Sequence, residues 1–162
     1  MTLTFGGSNP STPTILYKKG DRAMAISSFC IMDRYDAVEY CKKEHTHSSI
    51  IISISSANGH KPRLVKTDHN KVVAVLYLFF DDEVVGDNTF SDEQAEQIIR
   101  FVDVWKSVVE RLVVHCDAGV SRSAAVCAAM KRYLGFDNQD IFKNQQYEPN
   151  PLVYETLIQQ FL

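Results

Sequence analysis

One stretch constrains this chain more than any other: Arg111 to Met130, which reads RLVVHCDAGVSRSAAVCAAM. Leu112 to Val114 is a short apolar, largely β-branched run, as a buried strand should be. Ala124 to Met130 is rich in strong helix formers. The chain must therefore pass from strand to tight loop to helix, with Cys116 at the first turn of the loop and Arg122 at the helix entrance. A loop entering a helix N-terminus gathers unpaired backbone N–H groups and the positive end of the helix dipole, which together make an anion site. That field stabilises a thiolate. An arginine there can hold a tetrahedral oxyanion through two parallel hydrogen bonds. A nucleophile, an anion cradle and a planar clamp in one short loop point to phosphate chemistry.

The flanking sequence supplies the rest of an α/β fold. Ala23 to Phe29 reads as a first strand. Asp33 to Glu44 reads as a helix packing through Tyr35, Val38 and Cys41. Ile50 to Ile54 is a continuous apolar strand. Ser55 to Lys71 is a polar loop with Lys61, Arg63, Lys66 and Lys71, whose middle, Arg63 to Thr67, reads as a short edge strand; its charge can draw in an anionic substrate. Val72 to Phe80 is the longest apolar run, nine residues, enough for a central strand and too short to span a bilayer. Asp81 to Ser91 is an acidic loop, and Ser91 with Asp92-Glu93-Gln94 makes a helix start. Ile98, Ile99, Val102, Trp105 and Val109 then form one apolar stripe, predicting a helix over 92–109. A short helix is expected over Asn138 to Asn144. A last helix is capped by Asn150, opens on Pro151 and packs through Leu157, Ile158 and Phe161. Strands alternating with helices predict a central, mostly parallel sheet with helices on both faces, and the anion loop between a central strand and a helix.

Length and charge narrow the classes. A chain of 162 residues suits one domain, expected over 23–162, with a flexible arm or leader at 1–22 whose first fourteen residues are rich in Gly, Ser, Thr, Asn and Pro. The net charge of −3 argues against a general nucleic-acid or membrane-surface partner. No basic stretch followed by an apolar one opens the chain, so no signal peptide is expected. Cys30, Cys41, Cys116 and Cys127 have no close-paired spacing, which suits a reducing, cytoplasmic compartment.

His115-Cys116-Asp-Ala-Gly119-Val-Ser-Arg122-Ser123 resembles the phosphate-binding loop of the cysteine-based protein tyrosine phosphatase superfamily, H-C-x-x-G-x-x-R-[S/T]. Two more stretches are similar to its compact dual-specificity branch. Leu78-Phe-Phe-Asp-Asp82 sits where that branch carries a general-acid aspartate after a strand. Pro149-Asn150, followed by Leu157, resembles the opening of its terminal helix. The resemblance implies a protein tyrosine or dual-specificity phosphatase working through a phosphocysteine (thiophosphate) intermediate. Cys116 is then the nucleophile. The N–H groups of Asp117, Ala118, Gly119, Val120, Ser121 and Arg122, with the Arg122 guanidinium, bind the phosphate. Ser123 assists the leaving thiolate, and His115 orients the loop through backbone carbonyls. Asp82 is the general acid, favoured because Leu78, Phe80 and Asp82 share one face of the strand if it runs straight on, with Asp81 as the alternative. No cofactor or metal is needed.

Other readings remain open at this stage. Cys41 and His45 would share a helix face, with His47 beyond, but a fourth metal ligand is missing. Any other cysteine is a possible resolving partner for oxidised Cys116. The same loop could serve an RNA 5′-end, a lipid or a carbohydrate phosphate, or bind phosphate without turnover. It could also serve sulfur transfer or arsenate reduction, against which the flanking His115 and Ser123 speak. The loop carries no lysine or arginine between Cys116 and Arg122, which favours a phosphorylated protein or peptide over a polyphosphorylated lipid. Oligomeric state is not readable.

Overall fold

A computed structural model describes residues 25–162. The arm expected over 1–22, and the start of the strand expected from Ala23, lie outside the described residues. Four strands and five helices follow: β1 Ser28–Met32, α1 Arg34–Lys42, β2 Ser49–Ser55, β3 Val72–Phe79, α2 Asp92–Trp105, β4 Arg111–His115, α3 Arg122–Tyr133, α4 Gln139–Phe142 and α5 Pro151–Gln159. The sheet order is β1-β4-β2-β3, and every pairing is parallel. This is the expected α/β architecture.

The sheet has two apolar faces because residues alternate across a strand. Ile50, Ile52, Ile54, Leu112 and Val114 face the larger core, with α2, α3 and α5. Ile51 and Val113 face the smaller one, with Ala37, Tyr40 and Cys41 of α1. β2 is buried along its whole length, which explains its unbroken apolar middle. In α3, Arg122 through Met130 are all buried, and the alanines there let the helix lie close to its neighbours. Ser91 closes α2 with a reciprocal capping box to Gln94, and Asn150 Oδ1 accepts from Val153 N at 3.2 Å to cap α5. Such caps contribute about 1 kcal/mol each.

Several element boundaries differ from the sequence expectation. The first strand is Ser28–Met32, since its ladder to β4 begins at Ser28↔Arg111. Ile26 and Ser27 instead bond the carbonyls of Lys106 and Glu110. Arg63 to Thr67 forms no strand. Asn70 organises that segment: its Oδ1 accepts from Thr67 N at 3.0 Å, and its Nδ2 donates to Val65 O at 2.7 Å and Cys41 O at 2.9 Å. α2 ends at Trp105, where Val108 N and Val109 N turn back to the Trp105 carbonyl, although both valines stay buried. In α1, Tyr35 is exposed, and the packing face is Ala37, Tyr40 and Cys41. A 35-38-41 spacing drifts roughly 60° around a helix at each step, so it cannot stay on one face.

Parallel strands carry their C-terminal ends to one edge. Asp33-Arg34 after β1, Ser56 after β2, Phe80 to Asp82 after β3 and Cys116 after β4 therefore meet there, the usual ligand edge of an open α/β sheet.

Candidate active site

The loop from Cys116 to Ser121 is tied down from outside by its carbonyls. Asp117 O accepts from Arg34 N at 3.3 Å, Val120 O from Glu148 N at 3.0 Å, and Ser121 O from Asn150 N at 3.2 Å. The N–H groups of Asp117, Ala118, Val120, Ser121 and Arg122 meet no acceptor among the described residues. Run together at a helix start, they are donors available to an anion. Cys116 is buried at the base of this cradle, with Sγ 3.0 Å from Ser123 Oγ and 3.3 Å from Gly119 N.

Gly119 has φ +68, and a Cβ built on it would lie 2.7 Å from Asp33 N and 2.8 Å from Met32 C. Both contacts are backbone atoms of the β1–α1 junction, so neither can move alone. Gly119→Ala is expected to cost about 1–3 kcal/mol of stability and to open the cradle. Chemical denaturation measures the first effect and phosphate binding the second. A variant with unchanged stability and unchanged phosphate affinity would contradict this reading.

Arg122 is buried although charged. Its Nη1 donates to Phe80 O at 2.9 Å, and its Nη2 donates to Asp117 Oδ2 at 3.0 Å. Its Nε is buried and has no partner among the described residues. A buried guanidinium nitrogen left without an acceptor is expensive unless a ligand supplies one.

His115 is fully buried, and both its ring nitrogens are bonded to groups other than the Cys116 thiol. Nδ1 lies 3.3 Å from the Cys116 carbonyl, which can only accept, so Nδ1 carries the proton. Nε2 then accepts from the Ser53 hydroxyl, 2.6 Å away on the neighbouring strand. Burial pushes the imidazole below its ordinary value, and the Cys116 carbonyl offsets this only in part. The native state thus resists the proton that the unfolded chain accepts near pH 6.5. Stability is full above that pH and is lost as pH falls towards the lowered native value. The melting temperature is expected to drop between about pH 7.5 and pH 5, with a contribution of at most about 1.4 kcal/mol per pH unit from this residue. His115→Asn should flatten the slope. An identical slope in the variant would remove His115 as its source.

The two candidate acids are held differently. Asp82 is exposed, and its Oδ1 accepts from Ser121 Oγ at 2.7 Å and from Asn150 Nδ2 at 2.9 Å. Its Oδ2 meets no donor among the described residues. Asp81 is half-buried and accepts from Ala57 N at 3.0 Å through Oδ1. Asp82 is therefore the carboxylate beside the cradle, and Asp81 serves the neighbouring loop. β3 does not run straight on to carry Asp82, as the alternation of Leu78 and Phe80 suggested. It ends at Phe79, and the chain turns, with Asp81 N bonded to Asn88 O.

No protein-family model matches the chain, and no curated protein matches it in sequence. Solved structures do match. Human DUSP28 superposes with a TM-score of 0.55 at 20% identity, over 85% of this chain and 94% of that one. A mouse dual specificity phosphatase complexed with zinc tungstate gives a TM-score of 0.56 at 20% identity, over 90% and 91%. Tk-PTP in the active form gives 0.50 at 18% identity, over 88% and 95%. The chain has the dual-specificity phosphatase fold.

Within that fold, the structure brings together Cys116, Ser123, Arg122, Asp82 and the loop amides. Four more residues join them. Ser53 holds His115; Ser56 donates to Asp117 Oδ2 at 2.8 Å; Arg34 pairs with Asp117 at 3.6 Å; and Asn150 both caps α5 and holds Asp82. A Pro-Asn signal marked Asn150 as a cap only. The serines and Arg34 carry no local signal, since they come from other strand ends.

The remaining sequence candidates lie apart from this cluster. The His45 ring stacks on Tyr40 at 3.8 Å, and its Nε2 bonds the Tyr40 carbonyl. His47 pairs with Glu110, and Cys41 is buried. Among the described residues no group of three or more His, Cys, Asp or Glu is placed to hold a metal. All four cysteines are free thiols; burial pushes Cys127 up to about 12 and Cys41 up to about 11. No helix among the described residues is long and apolar enough to cross a membrane. Of the polar loop after β2, Ser56 reaches the cradle, and the Arg34 guanidinium donates to the His60 carbonyl.

Proposed function

We propose that this protein is a cysteine-dependent phosphomonoester hydrolase acting on phosphorylated tyrosine, and on phosphoserine or phosphothreonine, in protein or peptide substrates in the cytoplasm. One observation carries the reading: Cys116 Sγ lies at the base of a loop whose N–H groups are largely unengaged, with the unpartnered Nε of Arg122 at the entrance to the same helix and Asp82 bonded to the same loop.

The chemistry follows from these positions. Substrate phosphate enters the cradle and takes hydrogen bonds from the amides of residues 117–122 and from Arg122. Cys116 thiolate attacks phosphorus, forming the S–P bond as the ester P–O bond breaks. Asp82 passes its proton to the departing oxygen, with Oδ2 the free atom to carry it. Water then attacks the phosphocysteine and gives its proton back to Asp82. The S–P bond breaks, and Ser123 Oγ stabilises the returning thiolate. The amides and Arg122 gain most where charge spreads over the equatorial oxygens. His115 sets the loop's shape and takes no proton.

The absence of lysine and arginine between Cys116 and Arg122 supports a protein phosphate over a polyphosphorylated lipid. The test is turnover of an aryl phosphate in metal-chelating buffer, with Cys116→Ser as control, followed by phosphotyrosyl and phosphothreonyl peptides. Phosphate binding without turnover would leave a binding module and overturn the hydrolase.

A further inference from the structure

The guanidinium of Arg122 is closed at one end. Asp117 Oδ2 sits 3.0 Å from Nη2, Ser56 Oγ sits 3.5 Å from Nη1, and Ser56 Oγ donates to that same Oδ2 at 2.8 Å. Hydroxyl and carboxylate together face the two terminal nitrogens. The side edge remains, where Nε has no partner among the described residues. That edge is the one a single phosphate can grip with two parallel bonds.

A second arginine stands at the rim. Arg34 Nη1 lies 3.6 Å from Asp117 Oδ1, and its side chain is 35% exposed against 7% for Arg122. Arg34 is itself fixed, through Ser55 Oγ at 3.1 Å and the His60 carbonyl. One carboxylate thus bridges a deep and a shallow arginine. Burial pushes the Asp117 carboxyl up, but the bonds from Ser56 and Arg122 and the charges of Arg122 and Arg34 outweigh it, so it stays ionised. The three charges sum to +1, where the arginines alone would give +2.

We infer that Asp117 is a specificity-determining residue that limits the cradle to one phosphate. A second anionic group beside the first meets a carboxylate where it would otherwise meet Arg34 and the closed end of Arg122. Like charges at this range change affinity by an order of magnitude when partly screened from water. The same oxygen positions Arg122, so charge and position must be separated in the test. This assignment rests on the phosphate-cradle reading.

Asp117→Asn removes the charge and keeps an oxygen for Nη2 and Ser56. Affinities for inorganic phosphate and pyrophosphate are compared by calorimetry in wild type and variants. In Asp117→Asn, the ratio of pyrophosphate affinity to phosphate affinity is expected to rise about tenfold over wild type. The gain should shrink at high salt. Adding Arg34→Gln should abolish it, and Asp117→Ala should bind both ligands more weakly than Asp117→Asn. An equal change for the two ligands, or no change, would overturn the assignment. Melting curves identify any variant that fails to fold, and Asp117→Ser then takes the place of the amide. None of these measurements needs turnover. A wild type that binds phosphate but hydrolyses nothing defeats the phosphatase reading alone, and the ligand ratio still decides Asp117. A wild type that binds no phosphate defeats both.

Discussion

Cys116→Ser is expected to lower kcat by at least about a thousandfold, or about 4 kcal/mol of transition-state stabilisation, while phosphate affinity stays within a few-fold. The reason is local. A serine hydroxyl needs a base to become a nucleophile, and none is bonded at that position among the described residues. His115 is committed to Ser53 and to the Cys116 carbonyl, and among the described residues Ser123 Oγ is the one side-chain oxygen bonded to Sγ. The amides and Arg122 are untouched by the change, so the cradle should still close on phosphate. Steady-state rates and phosphate titration read the two effects separately. A serine variant within tenfold of wild type would place the nucleophile elsewhere.

Asp82→Asn is expected to cost about 10²- to 10⁴-fold on a substrate with a poor leaving group, the usual span for losing a general acid. With a good aryl leaving group the cost should be much smaller, since little proton transfer is then required. The amide keeps an oxygen to accept from Ser121 and Asn150, so the acid loop should stay docked. Asp81→Asn is the comparison: its oxygen still accepts from Ala57 N, and it lies off the cradle. Its rate is expected to remain within a few-fold of wild type on both substrates. The reverse pattern would move the acid by one residue.

The pair at 81 and 82 shows where sequence reasoning stops. Both aspartates follow the same strand, and alternation along a straight strand favoured Asp82 by face alone. The strand in fact ends at Phe79, so the alternation did not deliver the side chain. What separates the two is that Ala57 N captures one carboxylate and Ser121 with Asn150 the other. Those donors lie in three different loops. Tyr35 is a second example. Local spacing placed it in the core, but α1 packs through Ala37, Tyr40 and Cys41, because the register of a short helix against a sheet is set by the sheet.

What the sequence determined by itself was whatever depends on neighbours in the chain. The strand–loop–helix from Arg111 to Met130 follows from propensity and periodicity, and the cradle follows from a helix start that leaves amides unpaired. Cys116, Gly119, Arg122 and Ser123 fall into place because the loop is too short to arrange them otherwise. Only the tertiary structure decided what surrounds them. Ser53 reaches His115 through the β2–β4 register; Arg34, Ser56 and Asn150 arrive from separate strand and helix ends. A parallel sheet gathers its C-terminal ends at one edge, and contacts between residues tens of positions apart leave no periodic or local trace in the chain.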